Sequence, residues 1–173
     1  MMNSMRFFLF FILIMFSGAG QGEVDHQLEV ALIYKISKFI HWPDEQKKTE
    51  SFNICVLHHV ELVSSLNVLK SRTIKSLPIK ISYFDFSSEI SPKCQVLFIP
   101  SSRKPYLSLI FKQLKNQPIL TISTLDGFAK LGGMVESSIS SNPIDINLEK
   151  VKASNLAVDS SLLSLANIVT ADE

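Results

Sequence analysis

The chain has 173 residues, a formal net charge of +1, 46% hydrophobic residues and two cysteines. That length suits one domain around a single sizeable core. Near neutrality without a basic tract excludes the electrostatic footprint of a nucleic-acid binder and gives no strong attraction to anionic lipid, so the partner expected is a protein or a small molecule.

Met1 to Arg6 carries one positive charge and no acid, Phe7 to Phe16 is unbroken apolar sequence, and Ser17-Gly18-Ala19-Gly20 is a run of small residues. A charged start, a short apolar run and a small-residue exit together make a secretory signal. The apolar run is too short for a membrane-spanning helix, which needs about 20 such residues. Residues 1–20 are therefore expected to be a cleaved signal peptide, and residues 21–173 one exported α/β domain with no transmembrane span. No cysteine follows the apolar run, which argues against a lipoprotein anchor, and loss of Arg6 takes the formal charge to zero.

Downstream, Leu28, Ala31, Leu32, Lys35, Ile36, Phe39 and Ile40 recur at helical spacing. They predict an amphipathic helix that ends near Trp42, because Pro43 disfavours helix in the residue before it. Asp44 to Ser51 reads as a polar loop, and Phe52 to Leu57 as a buried strand. Val60 to Leu69 predicts a short helix that uses Val60, Val63, Leu66, Val68 and Leu69 as its apolar positions. After the Leu77-Pro78 breaker, Ile79 to Phe86 alternates with period two, as a strand with one wet face does. Ser91-Pro92-Lys93 is a turn, Gln95 to Ile99 a central strand, and Pro100 to Pro105 a loop. Tyr106 to Asn116 reads as a further helix and Ile119 to Ile122 as another strand. Beyond the Asp126-Gly127 and Gly132-Gly133 punctuation, Met134 to Ile139 and Ile144 to Leu148 can pair as antiparallel strands. Val151 to Val158 and Leu162 to Val169 read as helical. Strands alternating with helices give a layered α/β domain: a central, largely parallel sheet flanked by helices, with a C-terminal antiparallel hairpin at its edge.

Cys55 and Cys94 are an even pair in an exported chain, and a disulfide is the expected state. Closing a loop of about 40 residues destabilises the unfolded chain by roughly 4 kcal/mol in the chain-entropy account.

The search for reaction chemistry is mostly negative. His58 and His59 are adjacent, so on a strand they point to opposite faces. His26 and His41 are distant in sequence, and no metal-binding histidine spacing occurs. The expectation is no metal site. Gly132-Gly133 lacks the surrounding residues of a phosphate loop, and no serine sits in a nucleophile-elbow setting. Asp126 and Glu136 are not placed together by spacing alone, and Asp126 before Gly127 reads as a turn or cap. No catalytic constellation and no cofactor motif emerges. The chain reads as a binder, not an enzyme.

Several segments in order resemble the YfiR family of periplasmic proteins. Leu32-Ile33-Tyr34-Lys35 and Lys38-Phe39-Ile40-His41-Trp42-Pro43 resemble the family's opening helix, and Phe52-Asn53-Ile54-Cys55-Val56-Leu57 its first strand. Cys94-Gln95-Val96-Leu97-Phe98-Ile99 resembles a family strand that starts with cysteine. Pro118-Ile119-Leu120-Thr121-Ile122-Ser123, then Gly127-Phe128-Ala129 and Gly132-Gly133-Met134, resemble its glycine-punctuated block. Ile144-Asp145-Ile146-Asn147-Leu148 and Leu162-Leu163-Ser164-Leu165-Ala166 resemble its tail. Val135-Glu136-Ser137-Ser138 departs from it, being polar where the family continues apolar.

The resemblance implies a periplasmic location and a sheet flanked by helices. It also implies a homodimer and a non-enzymatic regulator that holds an inner-membrane diguanylate cyclase inactive through that enzyme's periplasmic sensor region. It places the family's cysteine pair on Cys55 and Cys94 and implies redox sensitivity. A partner or dimer surface is expected at Tyr34, Lys38, His41 and Trp42, since Trp and Tyr are enriched at interface hot spots; the other reading of Trp42 is a plug at the end of the core. The alternative function is a periplasmic small-molecule sensor acting on another membrane receptor or a histidine kinase. Its ligand would sit at the carboxyl ends of the strands, near His58, His59, Ser101, Ser102 and Arg103.

Overall fold

A computed structural model of the chain describes residues 21–44, 49–57, 59–85, 90, 93–137 and 144–171. The expected signal peptide, residues 1–20, lies outside the described residues. Among the described residues no helix is long and apolar enough to cross a membrane.

The chain opens with α1 (Gln21–Lys38), followed by a two-residue strand β1 (Ile40–His41). The helix ends earlier than the proline alone requires. Ile40 and His41 pair with β9 (Ala157–Val158) in a small antiparallel sheet, and Lys35 and Lys38 sit in the last helical turn, where cations complement the helix dipole. The buried stripe also differs from the expected one. Glu29, Val30, Ile33, Ile36, Ser37 and Ile40 face inward, whereas Leu28, Lys35 and Phe39 are exposed. Ser37 is tolerated inside because its hydroxyl donates to the Ile33 carbonyl at 2.6 Å.

The main sheet has eight strands. Five form its parallel centre: β2 (Phe52–Leu57), β4 (Leu77–Phe84), β5 (Val96–Phe98), β6 (Leu120–Ser123) and β7 (Val135–Glu136). Their spatial order is β4-β2-β5-β6-β7, and every neighbouring pair is parallel. The chain leaves β2 through α2 (Val60–Leu66) to reach β4, then returns to β5 on the other side and continues outward. This is the doubly wound 2-1-3-4-5 arrangement, whose direction reverses between β2 and β5. The inner strands read as continuous apolar runs because both faces are covered. Phe52, Ile54, Val56, Val96, Phe98, Leu120 and Ile122 pack into one core with α1 and α2. Cys55, Leu57, Leu97 and Ile119 pack into a second core with α3 (Leu107–Gln113) on the opposite face.

Edges complete the sheet. Two-residue β3 (Thr73–Ile74) joins β4 through Lys75 and Ser76, both at positive φ (52° and 67°), as a type I′ hairpin requires. The Leu77-Pro78 breaker lies inside β4, with Pro78 opposite Thr73. At the other edge β7 pairs antiparallel with β8 (Ile144–Ile146), the expected hairpin, whose connecting residues 138–143 lie outside the described residues. The expected C-terminal helices are shorter than the sequence indicated. The segment forms α4 (Leu148–Ala153), β9, α5 (Ser160–Leu163) and β10 (Ala166–Ile168). β10 runs parallel to β8, so the open strand edge overrides local helix propensity. The expected loop at Pro100 to Pro105 is a 3-10 helix, Ser101–Tyr106.

Cys55 and Cys94 are disulfide-bonded, with Cα atoms 5.9 Å apart and each residue 1% exposed. The bridge ties β2 to the segment entering β5.

Candidate functional site

In a doubly wound sheet the crevice for ligands lies outside the carboxyl ends of the strands where the winding reverses. Here that point is the exit of β2 and β5. α1 lies over this face, and its first half brings His26 and Glu29 to the same place.

Three side chains converge there. The Glu29 carboxylate bonds His26 Nδ1 through Oε2 at 3.0 Å and accepts from the Thr124 hydroxyl at Oε1, 3.3 Å away. Thr124 follows β6, so the helix is tied to a strand exit by a hydrogen bond across 95 residues of sequence. The His26 and His59 rings stand edge to face with centroids 5.0 Å apart, and His59 lies 6.5 Å from the Phe98 ring. His59 Nδ1 meets Glu61 Oε2 at 3.2 Å. The Glu61 carboxyl is held below its ordinary value, first by a backbone hydrogen bond and then by His59. Glu29 is only 7% exposed. A carboxylate that deep is rarely left without partners, and its partners here are an imidazole and a hydroxyl.

The remaining ligand candidates distribute differently. His58 lies outside the described residues. Ser101 and Ser102 are exposed on the 3-10 helix after β5. Arg103 places its guanidinium 5.9 Å from the Tyr106 ring centroid, and its buried Nε has no hydrogen-bond partner among the described residues. Thus His59 joins the cluster, while the contacts described for the other three do not reach it.

Of the surface candidates, Tyr34 and Lys38 lie on α1, with the Lys38 ammonium 5.4 Å and the Arg72 guanidinium 6.0 Å from the Tyr34 ring centroid. A groove of about 550 Å³ runs beside Tyr34 between α1 and the residues from Ser65 to Arg72. His41 is exposed and reaches Asp159 at 3.7 Å. Trp42 does not belong to this face. It is 6% exposed, stacks edge to face on Phe52 and donates its indole N–H to the Gln95 carbonyl at 3.2 Å. Its large apolar ring closes the end of the core, and its one polar atom is satisfied there.

Glu136 also has a definite task. Its carboxylate accepts the backbone N–H of Gly127 at 2.9 Å and of Ala129 at 3.2 Å, fixing the loop after β6. Gly133 lies against Phe128, whose ring leaves no room for a Cβ. The glycine-punctuated block is therefore a packing unit, and the polar Glu136 that departs from the apolar pattern is its internal clamp. The cluster His26–Glu29–His59 was missed from sequence. Its one local trace is the His-x-x-Glu spacing of one helical turn at 26–29.

These features define a single α/β domain: a doubly wound sheet, a polar cluster at its reversal point, and a buried disulfide holding the strands that flank it. A family model described as DUF4154, YfiR/HmsC-like, matches residues 26–167, and the chain belongs to this family. No curated protein matches it significantly. Membership points to a periplasmic regulator of diguanylate cyclase signalling.

Proposed function

We propose that the protein is exported to the periplasm and binds the periplasmic sensor region of an inner-membrane diguanylate cyclase, repressing cyclic di-GMP synthesis. The observation that carries this reading is the family match, which spans both the opening helix and the glycine-punctuated block. The exposed part of α1 around Tyr34 and Lys38, together with His41, is the surface assigned to the partner or to a second copy in a homodimer. Redox control enters through Cys55–Cys94. Because both cysteines are buried, reductant gains access only after local opening, so the bridge responds slowly, through the stability of the sheet.

The test is intracellular cyclic di-GMP in a deletion strain, complemented by copies with and without residues 1–20. A rise on deletion that only the exported copy reverses supports the reading, and unchanged cyclic di-GMP refutes it. For the redox part, a folded Cys55→Ala variant that binds and represses as wild type does rules the switch out. A second reading, a small-molecule sensor acting on another receptor or a histidine kinase, is favoured by the polar cluster at the sheet's reversal point. It predicts a thermal shift with a ligand that is lost when His59 is replaced.

A further inference from the structure

We propose that His26, Glu29 and His59 form a site for one divalent transition-metal ion of the zinc class, with coordination positions left open to the crevice. This goes beyond the regulatory reading and does not depend on which membrane protein is bound.

The geometry supplies the argument. Each of the three residues offers a ligand atom, and these atoms all lie within 4.8 Å of one another. Ligands on a tetrahedral zinc at about 2.0–2.1 Å stand roughly 3.3 Å apart. The His26–Glu29 pair, at 3.0 Å, is already at that spacing. Only His59 has to close in, and its side chain, 21% exposed, sits at the mouth of the crevice beyond the end of β2.

The supporting contacts are those a metal site needs. Glu61 holds Nδ1 of His59 and so leaves Nε2 for the ion, the carboxylate–imidazole–metal relay that orients histidine ligands. Thr124 orients the Glu29 carboxylate from the far side. Two imidazoles and one carboxylate select zinc, copper or nickel over calcium or magnesium, which take oxygen ligands. Three protein ligands leave a fourth position for water or for a side chain of a bound partner. A metal here would also join the first half of α1 to the β2–α2 junction, two segments whose imidazole rings already meet edge to face.

The experiment uses protein purified from the exported fraction, without a polyhistidine tag and stripped with chelator. Zinc is titrated in competition with a chromophoric chelator, and cobalt binding is followed by its visible absorption. The expected result is one ion per chain at micromolar affinity or tighter, with the intense cobalt bands of a four-coordinate site. His26→Asn and His59→Asn should each weaken binding by at least about 100-fold and abolish those bands. Glu61→Gln should cost about 10–100-fold, the usual effect of a partner behind a ligand. Both histidines are partly exposed, with side chains 25% and 21% accessible, so these variants are expected to fold, and circular dichroism checks that they do. The cobalt spectrum of the unmutated protein needs no variant at all. Affinity no tighter than millimolar, a weak octahedral cobalt spectrum, or histidine variants that bind as wild type does would each overturn the site.

Discussion

Removing the Cys55–Cys94 bridge tests how much of the fold depends on it. The two cysteines are separated by 39 positions. In the chain-entropy account a loop of this length restricts the unfolded state by about 4 kcal/mol, a large part of the roughly 5–15 kcal/mol typical of a domain. Replacing both cysteines by alanine adds a second loss, because each residue is buried in the core beneath α3 and its sulfur leaves a small cavity. Reducing the wild type keeps the sulfurs and isolates the loop contribution. The measurement is urea unfolding of oxidised wild type, reduced wild type and the double alanine variant. Reduction should lower stability by ~4 kcal/mol, or about 8–16 °C in Tm for a domain of this size, and the variant should lie lower still. The denaturant slope should rise in both, since an unlinked unfolded chain exposes more surface. A reduced protein within about 1 kcal/mol of the oxidised one would refute the reasoning and show that strand packing alone fixes β2 to β5.

Other substitutions probe separate contacts. Trp42→Ala should destabilise by ~3–5 kcal/mol, as loss of a buried large aromatic does, read by thermal unfolding; a stable variant that only loses partner binding would return Trp42 to the interaction surface. Gly133→Ala drives a methyl into the Phe128 ring and should cost ~1–3 kcal/mol or more, with partial recovery when combined with Phe128→Leu. Glu136→Gln keeps the shape but leaves one of the two loop N–H groups facing an amide instead of a carboxylate oxygen. The expected cost is about 1.5–3 kcal/mol for a charged hydrogen bond, with faster amide exchange at Gly127 and Ala129 as the local signature. The Asp159 carboxyl lies below its ordinary value of 3.8, held there by the Ser161 hydroxyl, the Ser161 N–H and His41. Its folded value being depressed, its contribution is complete above the unfolded value and disappears as pH falls through the folded one. The stability gap between wild type and Asp159→Asn should therefore be present near neutrality and disappear in acid, as followed by unfolding across pH.

What the sequence revealed follows from how local each signal is. β2, β5 and β6 were legible because strands covered on both faces are predominantly apolar whatever their neighbours, with Asn53, Thr121 and Ser123 as the polar interruptions. The inward face of α1 was misplaced by about one residue because the true stripe contains Glu29 and Ser37. Both are polar, and each is admitted by a partner, Thr124 and the Ile33 carbonyl respectively. Periodicity counts such residues as solvent-facing. β10 was read as helix because Leu162 to Ala166 fits helical propensity, and only the unpaired edge of β8 makes a strand there the better solution. The cluster at the reversal point was out of reach for a related reason. His26 and His59 meet only because α1 lies antiparallel over the face that β2 shares with α2, a fact of topology and not of spacing.

The placement of these features would separate the two proposed means of control. The disulfide lies in the core beneath α3, while the histidine–glutamate cluster lies on the opposite face with α1. Reduction would therefore act on the sheet as a whole and reach α1 through strand packing. An ion or ligand at the proposed site would act on α1 directly, on the same helix that carries Tyr34 and Lys38. One 18-residue helix thus connects the crevice to the proposed docking face, with His26 near its start and Lys38 at its end. Interfaces respond most to what repositions the element that bears them. If the protein carries a fast sensory input, the cluster on α1 is its physical seat, and the buried bridge sets the stability against which that input works.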